Sequence, residues 1–237
     1  MAARFLIGPC FLGLVINLAL HYPALAESNP DKDPHFRELV AESEQLAKAK
    51  KPSAAIALCD TVIAAFKAYY GKEQRKIYCG NSSAEVLGNL LQAAVKKENA
   101  IVLSPTWANA YFIKGYALQD LRRLAEAKAA ILLAFALSPT NSHYLNELGA
   151  IYQLEKNWPK AKETFVAAED NAPLSPEETR ADDLARARRG LGYVYVELGQ
   201  LTEAENKYRQ CLATNPNDAR AQDELQYVQQ LKAKQRK

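Results

Sequence analysis

Apolar residues recur every three or four positions through most of the chain, and short polar or proline-containing segments interrupt them. The spacing predicts an antiparallel pair of helices over 34–50 and 53–70, separated at Lys51-Pro52. A capping-box pattern at 82–85 predicts a further helix that runs to about Leu103. The chain therefore reads as a succession of amphipathic helices rather than as alternating strands and helices.

The N-terminus has a different pattern. Arg4 precedes an apolar run from Phe5 to Leu20, and Ala24-Leu25-Ala26 ends the segment before the chain turns polar at Glu27. A basic start, a short apolar stretch and an A-x-A site are typical of a cleavable export signal, so residues 1–26 are predicted to be removed. The alternative, a membrane anchor, needs a longer uninterrupted run of about 20 apolar residues. We therefore expect an exported protein with no stable membrane insertion, periplasmic in a Gram-negative cell and otherwise secreted.

Three small-residue and proline triplets mark an internal repeat. Each triplet has a glycine, an alanine twelve positions later and a proline twelve positions after that. The triplets are Gly115-Ala127-Pro139, Gly149-Ala161-Pro173 and Gly192-Ala204-Pro216. Small side chains permit two helices to cross closely, and a proline ends the second helix of each unit. Ile131, Phe165 and Tyr208, four positions after the alanines, are predicted to fill the space between successive helices.

These motifs resemble the tetratricopeptide repeat (TPR), a helix-turn-helix unit of 34 residues. The segments that carry the resemblance begin at Tyr111, Leu145 and Arg188. The resemblance implies an all-α, right-handed superhelical solenoid of antiparallel helix pairs. It gives the following division: 1–26 signal peptide; 27–105 helical, degenerate TPR-like region; 108–141, 142–175 and 185–218 TPR units; 176–184 helical extension; 219–237 capping helix and basic tail.

The extension at 176–184 follows from its own residues. Ser175, Pro176 and Glu178 are suited to the start of a helix, which predicts that the first helix of the last unit is about two turns longer and projects from the solenoid. Leu225, Val228 and Leu231 lie at helical spacing near the C-terminus and predict the capping helix that repeat arrays need.

Composition and charge add little specificity. The formal net charge is +3, without the clustered basic charge that nucleic-acid binding requires, so no nucleic-acid partner is expected. Cys59 and Cys79 are a candidate disulfide, with two unconnected thiols as the alternative. Cys211 takes the place that Ala134 and Ala168 have in the other repeats and reads as a small buried side chain.

No enzymatic motif is present in the sequence. H-E-x-x-H, C-x-x-C, the P-loop, G-x-S-x-G and the dinucleotide fingerprint are all absent, and His35 and His143 are far apart. We therefore expect no catalysis, no catalytic residues, no cofactor and no metal site.

The resemblance implies a groove lined by the first helix of each repeat. Carried over position by position, the groove-lining residues are Asn109, Phe112, Tyr116, Gln119, His143, Asn146, Gln153, Arg186, Arg189 and Tyr193. Amides can bond an extended peptide backbone, and the two arginines can bind a ligand carboxylate.

The leading functional hypothesis is an adaptor that binds a peptide or helix of a partner protein. Two alternatives stay open: a self-associating structural subunit of an envelope assembly, which would make the protein a homo-oligomer, and a glycan or small-ligand binder with aromatic stacking surfaces.

Overall fold

The computed structural model describes residues 28–235, which form a continuous array of antiparallel helices and one small sheet. The α-helices are α1 (Pro34–Lys48), α2 (Pro52–Tyr70), α3 (Ser83–Lys96), α4 (Thr106–Asp120), α5 (Leu124–Leu137), α6 (Ser142–Leu154), α7 (Trp158–Asn171), α8 (Glu177–Glu197), α9 (Leu201–Thr214) and α10 (Ala219–Gln235). The strands are β1 (Lys76–Cys79) and β2 (Ala100–Leu103). The predicted all-α solenoid is confirmed, with the two strands as a local addition.

Close helix crossing explains the repeated glycines. A Cβ added to Gly149 would lie 2.8 Å from the ring of Phe165, and one added to Gly192 would lie 2.5 Å from the ring of Tyr208. Phe165 also fills the space at Gly190, where a Cβ would come within 2.4 Å of the same ring. The large side chain of each second helix thus packs on bare backbone in the first helices, which sets the close spacing of the array.

The first helical pair shares its turn geometry with the recognised repeats. A left-handed residue follows the first helix in each pair: Arg122 after α4, Lys156 after α6 and Gly199 after α8. Lys50, with φ of 57°, holds the same place between α1 and α2. In addition, α2 packs on α4 as α5 packs on α6 and α7 packs on α8. The pair α1–α2 therefore stacks directly on the repeats as one more unit of the array.

The region between α2 and α4 differs from the sequence prediction. Residues 76–79 and 100–103, predicted within an all-helical region, form two parallel strands, with Lys76 opposite Ala100 and Cys79 opposite Leu103. The connection between them is α3, which ends at Lys96 rather than near Leu103. Lys97 ends the helix in a left-handed conformation, with φ of 57°. Residues 71–105 are thus a β-α-β insertion between two stacked helical pairs.

The helix α3 does begin where the capping box predicts. Ser82 is its N-cap, and the Ser82 hydroxyl oxygen accepts a hydrogen bond of 3.0 Å from the Glu85 backbone N–H. In a standard capping box this glutamate accepts a hydrogen bond from the backbone N–H of the N-cap residue. Here the Glu85 carboxylate accepts from the backbone N–H of Asn81, one residue before the N-cap, at 2.9 Å.

The extended helix α8 does not project from the array. Its N-cap is Pro176, residues 177–182 are exposed, and the helix is held to the array from Asp183 onward. The reason is Asp183, which is buried and accepts a hydrogen bond of 2.9 Å from the Ser175 hydroxyl. Ser175 is therefore a tether for the extension rather than its helix cap.

The predicted disulfide is absent from the structure. Cys59 and Cys79 are free, buried cysteines on different elements. The thiol of Cys59, on α2, lies beside the Ser43 hydroxyl of α1, whereas that of Cys79, at the end of β1, lies beside the Ala108 backbone of α4. The two thiols pack against different neighbours, and each is enclosed by the main core.

One helix among residues 28–235, α2, is long and apolar enough to cross a membrane by length and composition. In this fold it is a core helix, since Ala55, Cys59, Val62 and Phe66 are fully buried. The predicted signal at 1–26 lies outside the described residues.

Candidate functional site: a groove along the first helices

Three adjoining cavities form a continuous groove along α1, α4, α6, α8 and α10. The C-terminal section has a volume of about 520 Å³, the middle section about 300 Å³ and the N-terminal section about 410 Å³. The middle section shares Arg186 with the C-terminal section and shares Phe112 and His143 with the N-terminal section. The groove thus spans most of the length of the array.

The C-terminal section has an aromatic floor and a polar wall. Phe165 and Tyr208 form its floor, and Tyr193 is exposed at its side. Burial raises the pKa of Tyr193, and the Glu197 carboxylate adds to this increase. Gln153 crosses from α6 to α8, where its Nε2 donates to the Gly190 carbonyl at 3.2 Å.

One buried polar atom in this section has no hydrogen-bond partner within the described residues. Asn146 is fully buried, and its Nδ2 donates to the Asp183 carbonyl at 2.9 Å, which leaves Oδ1 unpaired. The hydroxyl of Tyr208 is also buried, and it lies beside the Glu224 carboxylate. Unpaired buried polar groups are destabilising, so the Oδ1 of Asn146 carries a local cost within the fold.

The middle section is walled by α1. Glu44 and Lys48 lie on one side, and Phe112, Tyr116 and His143 lie on the other. The rings of Phe112 and His143 are 4.9 Å apart, and Tyr116 is exposed to solvent. This section offers aromatic contact area to a ligand that lies along the groove.

The N-terminal section is bounded by the β-α-β insertion and by the start of α8. Glu85 of α3 and Asp183 of α8 are both buried there, and burial raises the pKa of Glu85 above its usual range. Asn141 donates to the Glu85 carboxylate at 3.2 Å, and the Tyr144 hydroxyl donates to Asn109 Oδ1 at 2.5 Å. The insertion thus contributes directly to the wall of the groove.

Nine of the ten predicted groove residues line one of these sections, and Gln119 lines none of them. The predicted role of the arginines changes, however. Arg186 is paired with Glu147 and Arg189 with Asp218, so both guanidinium groups already have a carboxylate within the array. Asn146 is likewise engaged through its amide nitrogen.

Several lining residues were not among the predicted ones. Arg220, Asp223 and Glu224 of α10 carry charges without an ion pair among residues 28–235. The capping helix therefore forms one wall of the C-terminal section, which its polar sequence alone did not indicate. Glu44 and Glu85 were also missed, because α1 and the insertion have no repeat register from which a position could be carried over.

The part of the chain that the structure describes holds no group of three or more His, Cys, Asp or Glu side chains placed to bind a metal ion.

The fold is a repeat solenoid with a groove along its first helices. Two sequence models, each described as tetratricopeptide repeat, match residues 108–141 and 139–217, so this part of the chain consists of tetratricopeptide repeats. No curated protein matches the chain in sequence.

Solved structures with the same fold include two of MamA. MamA AMB-1 is 15% identical, with a TM-score of 0.52, and the match covers 85% of this chain and 84% of that one. MamA MSR-1 is also 15% identical at a TM-score of 0.52, covering 85% and 88%. The first TPR of Spaghetti (RPAP3), bound to the HSP90 peptide SRMEEVD, is 23% identical at a TM-score of 0.42, covering 53% and 93%. At these identities the MamA likenesses show the fold alone.

Proposed function

We propose that this protein is an exported adaptor that binds an extended segment or helix of a partner protein in the groove and catalyses no reaction. The observation that carries the proposal is the continuity of the three sections, because a groove that follows five helices suits a chain-like ligand. A compact small molecule would occupy only one section.

The groove chemistry supports a polypeptide ligand. The exposed rings of Tyr116 and Tyr193 offer a ligand contact area at small entropic loss. Arg186 and Arg189 offer a ligand no unpaired charge, since they form ion pairs with Glu147 and Asp218. These ion pairs join neighbouring helices of the groove wall. The partner segment is therefore expected to bind through its apolar side chains more than through a carboxylate.

Export is the second part of the proposal. It rests on the pattern of residues 1–26, and the absence of a disulfide among the described residues is compatible with it because all three thiols there are buried.

Site-specific photo-crosslinking tests the groove. A photoreactive amino acid replaces Tyr116 or Tyr193 in the native compartment, and the matched control places it at Tyr69, which is also exposed but lies on α2 outside the groove. We expect the photoreactive residue at position 116 or 193 to form adducts with the same polypeptide segment. At position 69 it should form no adduct with that segment. The same adducts from all three positions, or none from the groove, would contradict the proposal.

The crosslinked segment then serves as a synthetic ligand. Tyr193→Ser is expected to weaken its binding about tenfold, as for a moderate hot spot, and Tyr69→Ser is expected to leave binding unchanged. Adducts to a second copy of this chain would instead identify self-association. Binding to cell-wall fragments without any protein adduct would identify a glycan binder.

A further inference from the structure

The helix α3 has the reverse of the usual amphipathic arrangement. Its apolar residues Leu87, Leu90, Leu91 and Val95 are exposed to 58%, 43%, 59% and 84%. They follow the spacing of one helix face, and Ala94 on the same face is also exposed. We call this set the α3 stripe. The opposite face, which packs on the protein, carries Glu85, Asn89 and Ala93.

Hydrogen bonds hold the polar face inward. The Nδ2 of Asn89 donates to the Cys79 carbonyl at 2.8 Å, and its Oδ1 accepts from the Thr140 hydroxyl at 3.0 Å. Glu85 accepts from the Asn81 backbone and from Asn141. A rotation of α3 that buried the stripe would break these bonds and leave Glu85 and Asn89 facing solvent. The outward direction of the stripe is therefore fixed by the fold.

Basic residues gather at the C-terminal end of the stripe. Lys96 and Lys97 end α3, and Lys76 begins β1 next to the turn that follows α3, because its N–H donates to the Asn99 carbonyl at 2.7 Å. All three side chains are exposed, and none forms an ion pair within residues 28–235. The nearby Glu98 accepts a hydrogen bond of 2.6 Å from the buried Tyr78 hydroxyl.

We propose that the α3 stripe and these three lysines bind the surface of an anionic lipid bilayer. Leucine and valine side chains enter the boundary between headgroups and acyl chains, and the lysines contact lipid phosphates. The contact is peripheral, with no spanning segment. An exposed apolar face flanked by lysines is the arrangement that interfacial helices use.

A protein partner fits this surface less well. A stable protein interface buries roughly 800 Å² on each side, and a stripe of four aliphatic side chains on one short helix supplies much less. Lipid binding does not need that area, since apolar contact and basic charge add to each other there. The opposite face of α3 contributes Glu85 to the groove, so the bilayer and the groove ligand occupy different sides of the insertion.

Vesicle sedimentation of the exported, processed protein tests the proposal. We expect binding to vesicles of phosphatidylethanolamine and phosphatidylglycerol at three to one, and little binding to pure phosphatidylcholine. Leu87→Ser with Leu91→Ser should reduce binding at least tenfold, because the change removes apolar contact with the bilayer. Both side chains face solvent in the free protein, so the fold does not depend on them. Leu154→Ser, at another exposed leucine, is the matched control and should bind as the native protein does.

A second set of variants tests the contribution of the lysines. Lys96→Gln with Lys97→Gln should lower the affinity about tenfold and flatten its salt dependence, as expected for two charges near an anionic surface. Lys234→Gln on α10 should change neither. Circular dichroism of each variant checks that helicity is unchanged.

Three results would overturn the lipid assignment. The first is that the native protein does not bind anionic vesicles. The second is that the stripe variants bind vesicles as well as Leu154→Ser does. The third is that the stripe variants lose concentration-dependent self-association while their vesicle binding stays unchanged. The last result would assign the stripe to a second copy of the chain. Crosslinking from positions 116 and 193 should persist in the stripe variants, which separates this proposal from that on the groove.

Discussion

The carboxyl group of Glu85 lies fully buried at the contact between the insertion and the groove. Burial is the main cause of its raised pKa, and the neighbouring Asp183 charge adds to the increase, while hydrogen bonds from Asn81 and Asn141 oppose it. The folded protein therefore retains this proton at a pH where the unfolded chain has released it.

Glu85→Gln is predicted to change the pH dependence of stability. The contribution of native Glu85 is present below the unfolded pKa of about 4.3 and is lost as pH rises through the higher folded pKa. Glutamine has no proton to release, so the free energy of unfolding of the variant, relative to the native protein, should rise from pH 4.5 to 7.5. Urea denaturation across this range measures it, and the exposed Glu42→Gln should show no such trend. A constant difference between variant and native protein would refute the assigned cause.

The three described cysteines are predicted to be unreactive in the native protein. Burial raises the pKa of Cys59 to about 11, that of Cys79 to about 12 and that of Cys211 to about 11. Few thiolates exist at pH 8, and reagents cannot reach the sulfur atoms. On protein lacking residues 1–26, a thiol assay should find none in the native state and three after unfolding in guanidinium without reductant. One thiol after unfolding would instead indicate the Cys59–Cys79 disulfide.

At the scale of elements, the first turns of α8 depend on one buried side chain. Asp183 accepts from Ser175, lies 3.1 Å from His143 Nδ1, and offers its carbonyl to Asn146. These contacts join α8 to α6 and to the turn before α8. The N-terminal section of the groove has its wall there.

Asp183→Ala is predicted to loosen this end of α8 while the rest of the helix stays ordered. The loss of the buried hydrogen bonds should lower stability by about 1–3 kcal/mol, and each kcal/mol shifts Tm by roughly 2–4 °C in a chain of this size. Hydrogen exchange should accelerate at 177–183 but not at 190–197. The neighbouring Asp182→Ala is the control, since that side chain is exposed. Uniform acceleration along α8 would show that the tether is not local.

The elements that sequence could predict are those with a local signature. Gly149 and Ala161 identify close crossings, and Pro173 marks a helix end, so the repeat helices were found from residue spacing. Residues 76–79 and 100–103 were not identified as strands, because segments of four residues are too short to show a period that separates strand from helix. Their pairing is a tertiary contact between segments more than 20 positions apart.

The candidate groove was predictable only where the repeat register applies. Tyr193 and Gln153 follow from their positions within a repeat, whereas Glu44 and Glu85 enter the groove from elements without that register. The pairing of Arg189 with Asp218 also depends on how α8 and α10 stack, which spacing alone does not reveal. The orientation of α3 could not be predicted from the sequence either. The apolar spacing of the α3 stripe would predict a buried face, whereas the opposite face packs on the protein.

At the scale of the whole molecule, the array is a stack of helical pairs with one insertion. The α1–α2 pair stacks on α4, and the array ends with α10 packed on α9. Each unit contacts its neighbours along the stack, so stability is expected to spread along it rather than reside in one core. The β-α-β insertion adds a wall to the groove at one side and an outward apolar stripe at the other.

The pattern of residues 1–26 predicts where this molecule works. Expressed from its full sequence in a Gram-negative host, the protein should appear in the periplasmic fraction and begin at Glu27, because Ala24-Leu25-Ala26 presents small residues at the cleavage site. N-terminal sequencing of the periplasmic protein and its intact mass measure this. Ala26→Asp removes a required small residue and should leave an unprocessed form of higher mass in the membrane fraction, while Ala2→Asp should have no effect on the cleavage site. A cytoplasmic protein that retains residues 1–26 would contradict export and, with it, the proposed contact with a partner outside the cytoplasm.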